Sequence, residues 1–267
     1  MSQSAANLTE PQDADELVVY EQPLNEKMRT LLRLEFLFRQ TEHHAAGDSS
    51  WESRAAIGSL LDILSILTRG DVRKDVLKEL ERHAGALGQF RSRQGVDTKR
   101  LGVLMEDILE QRDALNAVGG QLTASLKNSE FLNAVKHRSA IPGGTCEFDL
   151  PDYNHWLNRS YQRRMEDFSG WFESLKPLRE GVNKLLWLTR EGAKARREVA
   201  TGGMFQHALE RGVACQLLRV ALPATTDLFP EISGSPHRFT VRFHTWHNVQ
   251  SRPSQTTDDV EFFLTCC

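Results

Sequence analysis

Residues His137–Leu157 read "HRSAIPGGTCEFDLPDYNHWL", and the fold depends on what this stretch makes. Pro142-Gly143-Gly144 is a turn signature, because glycine takes positive φ at no steric cost. Behind it, Cys146, Phe148 and Leu150 alternate with Thr145, Glu147 and Asp149. That period of two predicts a half-buried strand, stopped by Pro151. Read this way, the stretch is a corner where helices give way to strands. A phosphate loop would need its glycines to lead into a helix N-terminus followed by Lys-Ser/Thr. Here they lead into the predicted strand without that pair. A catalytic role for Cys146 would need a neighbouring imidazole, and His137 and His155 are close in sequence. On the apolar face of a strand, however, a small buried thiol is the default.

Upstream of the corner the period is helical. Met28, Leu31, Leu32, Phe36 and Phe38 cover more than half of one helix, with Arg29 and Arg33 on a polar stripe. Ser49 and Glu52 form a predicted capping box before a helix with Ile57, Leu60, Leu61, Leu64 and Leu67 inward. Gly70 is expected to stop that helix as a C′ glycine, and Asp71 to cap the next, which buries Val72, Val76, Leu77 and Leu80. Asp97 opens a further helix, closed by Gly119-Gly120, and a shorter one runs from about Ser129 to Arg138. Beyond the corner, a long helical region is expected from about Ser160 to Arg197, broken near Pro177.

From Gly203 the pattern is β, in "CQLLRVAL", "RFTVRFHTW" and "DVEFFLTCC". In the second of these, Phe239, Val241 and Phe243 point one way, and Arg238, Thr240, Arg242 and His244 the other. "ELVVYEQPL" near the start is one more strand. The expected fold class is therefore α+β, a mainly helical domain packed on a smaller antiparallel β domain whose strands come from separated parts of the chain. The expected parts are an acidic, disordered tail over 1–14, a helical domain over 24–140 with 158–197, and a β domain over 15–23, 141–157 and 198–267.

At 267 residues, 40% hydrophobic and 26% charged, the composition is that of a folded soluble protein. Its net charge of −3 gives no overall attraction to nucleic acid. No apolar run reaches the ~18 residues that span a bilayer, the N-terminus is not a signal peptide, and four cysteines are too few for a disulfide framework. The expectation is a cytoplasmic protein without membrane contact. The 36 acids include five within residues 1–21, which hold no Lys or Arg, so the remainder is slightly basic.

No catalytic residue, metal site or cofactor is expected. His43 and His44 diverge on a helix, His244 and His247 lack a third ligand at useful spacing, and Cys266 and Cys267 alternate across a strand. The unusual feature is basic. Arg69, Arg73 and Lys74 bracket a tight helix–helix turn, and the two last sit in a first turn, where cations oppose the helix dipole. Lys136 and Arg138 end the helix before Pro142, and Arg238 and Arg242 share a strand face. Together they suggest a patch at the helix/β junction for an acidic or carboxylate-ended peptide. Two alternatives stay open: a cysteine-dependent hydrolase using Cys146, and weak nucleic-acid binding through the run "KLLWLTREGAKARR", residues 184–197.

Five blocks in order, "YEQPLNEKMRTLLRLEFLF", "RGDVRKDVLKELER", "IPGGTCEFDLP", "FPEISG" with "RFTVRF", and "FFLTCC", resemble the ZapD family of FtsZ-associated bacterial division proteins. They run from Tyr20 to Cys267. The resemblance implies a non-enzymatic homodimer in the cytoplasm at the division site. It also implies binding of the C-terminal peptide of FtsZ and cross-linking of its filaments into bundles that stabilise the ring. Carried over by motif, Arg69 of "RGDVR" and Arg238 of "RFTVRF" fit a basic peptide pocket. Arg33, Arg73, Arg138 and Arg242 are further candidates.

Overall fold

A computed structural model describes residues 16–91, 93–209, 215–235 and 237–267, so the expected tail over 1–14 lies outside the described residues. The chain divides into two compact units, Met1–Arg29 with Thr189–Cys267, and Thr30–Leu188. The fold is α+β.

The helical unit is built from α1 (Glu26–Ala45), α2 (Ser50–Arg69), α3 (Val72–Gly88), α4 (Thr98–Val118), α5 (Ala124–Lys127), α6 (Glu130–Ser139), α7 (Pro151–Leu157), α8 (Tyr161–Phe172) and α9 (Lys176–Glu191). The caps follow the sequence. The Ser49 side chain accepts the Glu52 N–H while the Glu52 carboxylate accepts the Ser49 N–H, a complete capping box. Asp71 accepts from Lys74 N, and Asp97 from both Lys99 N and Arg100 N. Gly70 does not stop α2 through a left-handed turn: its φ is −162°, extended backbone open to any residue.

Val76 and Leu80 of α3, Leu115 of α4 and Val182 of α9 are fully buried. The approach of α9 depends on Gly181, where a Cβ would stand 3.0 Å from Val76 Cγ1. Of the broad apolar surface expected on α1, Met28, Leu31 and Phe38 are buried together with Leu34 and Leu37, while Phe36 is exposed. The break between α8 and α9 is a 3-10 turn over Glu173–Leu175. Pro177 sits just inside α9, in the first turn, where its missing N–H costs nothing.

The β unit holds two antiparallel sheets. The strands β1 (Leu17–Pro23), β2 (Arg196–Ala200), β3 (Met204–Ala208), β4 (Leu217–Pro223), β5 (Leu228–Ser235), β6 (Arg238–Thr245), β7 (Ser254–Gln255) and β8 (Val260–Cys266) form the orders β1-β4-β8-β2 and β3-β6-β5, with β7 beside β6. Phe239, Val241 and Phe243 of β6 meet Leu218, Val220 and Leu222 of β4 and Val260, Phe262 and Leu264 of β8 in one core. Alternating side chains of two sheets thus interdigitate, as in a sandwich. The helical region expected to reach Arg197 ends at Glu191, because Arg196–Ala200 pairs with β8 from Arg196↔Leu264 to Ala200↔Val260. Cross-strand pairing overrides the helix propensity of "AKARR".

The strand expected at 145–150 does not form. Successive local bonds close there instead: Gly144 N to Ile141 O at 2.9 Å, Cys146 N to Gly143 O at 3.0 Å and Leu150 N to Cys146 O at 3.1 Å. A backbone bonded to itself in this way has no groups left for a ladder. Gly143 takes φ 72°, and a Cβ on Gly144 would lie 2.4 Å from Arg138 O, so the turn requires glycine at both positions. Pro151 does not stop a strand; it opens α7. Residues 141–157 therefore connect α6 to α8 within the helical unit, not helices to strands, and Phe148 is 87% exposed.

Candidate functional site: unpaired arginines and an aromatic groove

The six candidate arginines fall in both units. In the helical unit, Arg69 ends α2 and is exposed in the last turn, where a cation complements the helix dipole. Arg33 is exposed on α1. Among the described residues, neither is engaged in an ion pair.

Arg73 is placed differently. Its Nε donates to Leu115 O at 3.1 Å, and one terminal nitrogen to Asn116 O at 3.0 Å and Asn116 Oδ1 at 3.1 Å. It satisfies the carbonyls that the end of α4 leaves open. Asp71 offsets the cation at Lys74, pairing with its Nζ at 2.7 Å. These bonds to Lys74 hold the Asp71 carboxyl below the usual carboxylate range. Arg138, in the last turn of α6, lies 3.5 Å from Asp149 and so ties the end of that helix to the turn beyond Pro142.

In the β unit, Arg238 and Arg242 project from the open face of β6, opposite to Phe239, Val241 and Phe243. Cross-strand neighbours share a face. Arg238 is flanked by Ser235 and Ala208, and Arg242 by Glu231 and Met204. Glu231 Oε2 lies 3.0 Å from His244 Nε2. No ion pair among the described residues engages Arg238 or Arg242. Other bases are taken up. Lys184 pairs with Asp107, Arg190 with Glu21 at 2.7 Å, Arg196 with Glu198 at 2.7 Å and Arg197 with Glu261. Four of the five bases in the run 184–197 are thus held in ion pairs.

The helical unit also holds a groove of about 610 Å³ that sequence reading did not find. It is lined by Trp51 and Arg54 of α2, by Thr145, Cys146 and Phe148 of the turn, and by Asn154 of α7. Arg54 donates to Thr145 O at 2.9 Å, and its guanidinium lies 4.9 Å from the Tyr153 ring centre and 5.6 Å from that of Trp51. Burial pushes the Tyr153 phenol up to about 12. Trp51 and Phe148 are among the most exposed aromatics of the chain. A signal for Trp51 was present: it shares its helix side with Gly58 and Asp62, both exposed, away from the Ile57–Leu64 stripe. Phe148 carried no such signal, because the alternation around it imitates a strand.

Cys146 sits on this turn, not on a strand face, and its thiol donates to Asp149 Oδ2 at 3.5 Å. A carboxylate, not an imidazole, is its partner. Among the described residues, no group of three or more His, Cys, Asp or Glu converges to hold a metal ion, and no helix is long and apolar enough to cross a membrane.

Comparison with known proteins agrees with the sequence blocks. A family model described as ZapD, cell division protein, matches residues 32–242. A cell division protein ZapD from Methylococcus capsulatus is 42% identical over 250 residues, 94% of this chain and 98% of the relative. Proteins of the same name from Aromatoleum aromaticum and Cupriavidus necator are 35% and 36% identical, each across at least 94% of this chain and 98% of the relative. With the match extending over both units, the chain belongs to the ZapD family of cell division proteins.

Proposed function

We propose that this protein binds the C-terminal peptide of FtsZ and, as a homodimer with one site per protomer, cross-links FtsZ filaments into bundles at the division site in the cytoplasm. It acts by binding and carries out no reaction. The observation that carries the reading is that Arg33, Arg69, Arg238 and Arg242 are exposed or half-buried and have no ion pair among the described residues, whereas most other described arginines are held in ion pairs or in hydrogen bonds to the fold. A guanidinium kept free of internal acids is available for a carboxylate of a partner. Arg69 in the helical unit and Arg238 in the β unit are the bases proposed to take carboxylates of FtsZ. Two sites in one particle make the second contact effectively intramolecular, so weak peptide binding becomes avid bridging.

The test is co-sedimentation with GTP-assembled FtsZ, intact or lacking its last dozen or so residues. Increased pelleting of intact FtsZ alone is expected. Equal pelleting of both forms, or of neither, overturns tail binding.

A further inference from the structure

Three cysteines meet at one end of one sheet in the β unit. Cys266 closes β8, opposite Leu218 of β4. Cys267 exchanges backbone bonds with Leu217, donating at 2.8 Å and accepting at 3.1 Å. Cys215 enters β4 from two residues before its start, is 2% exposed and belongs to the sandwich core, against which Cys266 also packs. Cys215 and Cys266 therefore share one core at one end of the sheet, where each thiol perturbs the other's proton. The Cys215 thiol donates to Leu217 O at 3.3 Å. Cys267, next along the strand from Cys266, points to the other face. Cys146 belongs to the helical unit.

We propose that Cys266 is a peroxide-sensitive thiol that closes an intrachain disulfide onto Cys215. The Cys266 thiolate attacks one peroxide oxygen, the O–O bond breaks, and the departing hydroxide takes a proton to leave as water. The sulfur of Cys215, giving up its proton, then attacks the Cys266 sulfenic acid, and the S–O bond breaks with loss of a second water. Two thiols lose two electrons in total, and one peroxide becomes two waters.

The roles of the two sulfurs follow from their surroundings. The neighbouring Cys215 thiol, and to a lesser degree the Arg196 guanidinium, draw Cys266 down to about 7 against burial and the charge of Glu198. The Cys266 neighbour, with burial, pushes Cys215 up strongly, which makes it the resolving thiol. Burial pushes Cys267 up to about 11 and removes it as a competitor at neutral pH. Because both side chains belong to one core at one end of the sheet, the bond ties the entry of β4 to the end of β8.

The experiment treats the full chain with a small excess of hydrogen peroxide at neutral pH, blocks remaining thiols with an alkylating agent, and maps the peptides by mass spectrometry. Expected is a Cys215–Cys266 linkage within one chain, a loss of two of the four alkylatable thiols, with Cys146 and Cys267 alkylated. Alkylation of both Cys215 and Cys266 after peroxide overturns the proposal, as does a Cys266–Cys267 or interchain linkage. In Cys215→Ala, Cys266 should accumulate as sulfenic acid that a dimedone probe traps. The unlabelled outcome there, in a variant with an unchanged circular dichroism spectrum, also overturns it. The wild-type map decides the matter if that variant does not fold.

Discussion

Arg164 of α8 and Arg238 of β6 show what one residue type does in two settings. Arg164 is 5% exposed, and every nitrogen of its guanidinium is engaged: Nε with Ser53 Oγ at 2.9 Å, and the two terminal nitrogens with the carbonyls of Leu157, Arg159 and Asp48. It joins α8 to the start of α2 and the end of α7. Arg238 stands exposed on the open face of its sheet without an ion pair. The first is bound to the fold, and its charge is out of reach of a partner. The second contributes little to the fold and keeps its charge available. The number of internal acceptors therefore separates arginines that build this protein from those whose charge stays open to solvent.

Substitutions should reproduce that division. Arg164→Leu should lose roughly 3–5 kcal/mol of stability, since several carbonyls are left buried without a donor; a urea midpoint within error of the wild type would refute its structural role. Arg73→Ala, with three bonds to the end of α4, should cost about 1–2 kcal/mol in the same titration. Asp97→Ala removes a side chain that caps two N–H groups and should cost about 1 kcal/mol. Arg69→Glu and Arg238→Glu should each stay within about 0.5 kcal/mol of wild type, as surface changes do.

A pH effect extends the comparison to a surface cap. Hydrogen bonds from Ser49 hold the Glu52 carboxyl below its ordinary value. A depressed folded pKa stabilises above the unfolded value of about 4.5 and is lost as pH falls through the folded one. Glu52→Gln should accordingly narrow its stability gap to wild type on acidification below that value; a gap constant down to pH 3 would show that the charge plays no part.

What was legible in the sequence, and what was not, has a physical pattern. Caps such as Ser49, Asp71 and Asp97 are local, because side chain and amide are two or three residues apart. The alternation of β6 is unambiguous, because one face is fully apolar and four polar residues hold the other. The turn at 141–150 failed on the same rule: alternation of Cys146, Phe148 and Leu150 was read as a strand, while consecutive local bonds consumed the backbone. The groove was missed because its walls come from residues about a hundred positions apart, Trp51 and Phe148. Likewise, the role of Arg73 lies in α4 carbonyls more than forty residues away, which no local pattern reveals.

The division between engaged and free arginines is tested most directly by fluorescence anisotropy of a labelled peptide with the C-terminal sequence of FtsZ. It would be titrated with wild type, Arg69→Glu and Arg238→Glu at low and at physiological salt. Binding by wild type that weakens with salt, and a loss of tenfold or more in both variants with unchanged urea midpoints, is the predicted result, since charge pairs near the surface are screened over ~8–10 Å. Equal affinity for all three proteins, or binding indifferent to salt, would contradict a site built on the unpaired arginines.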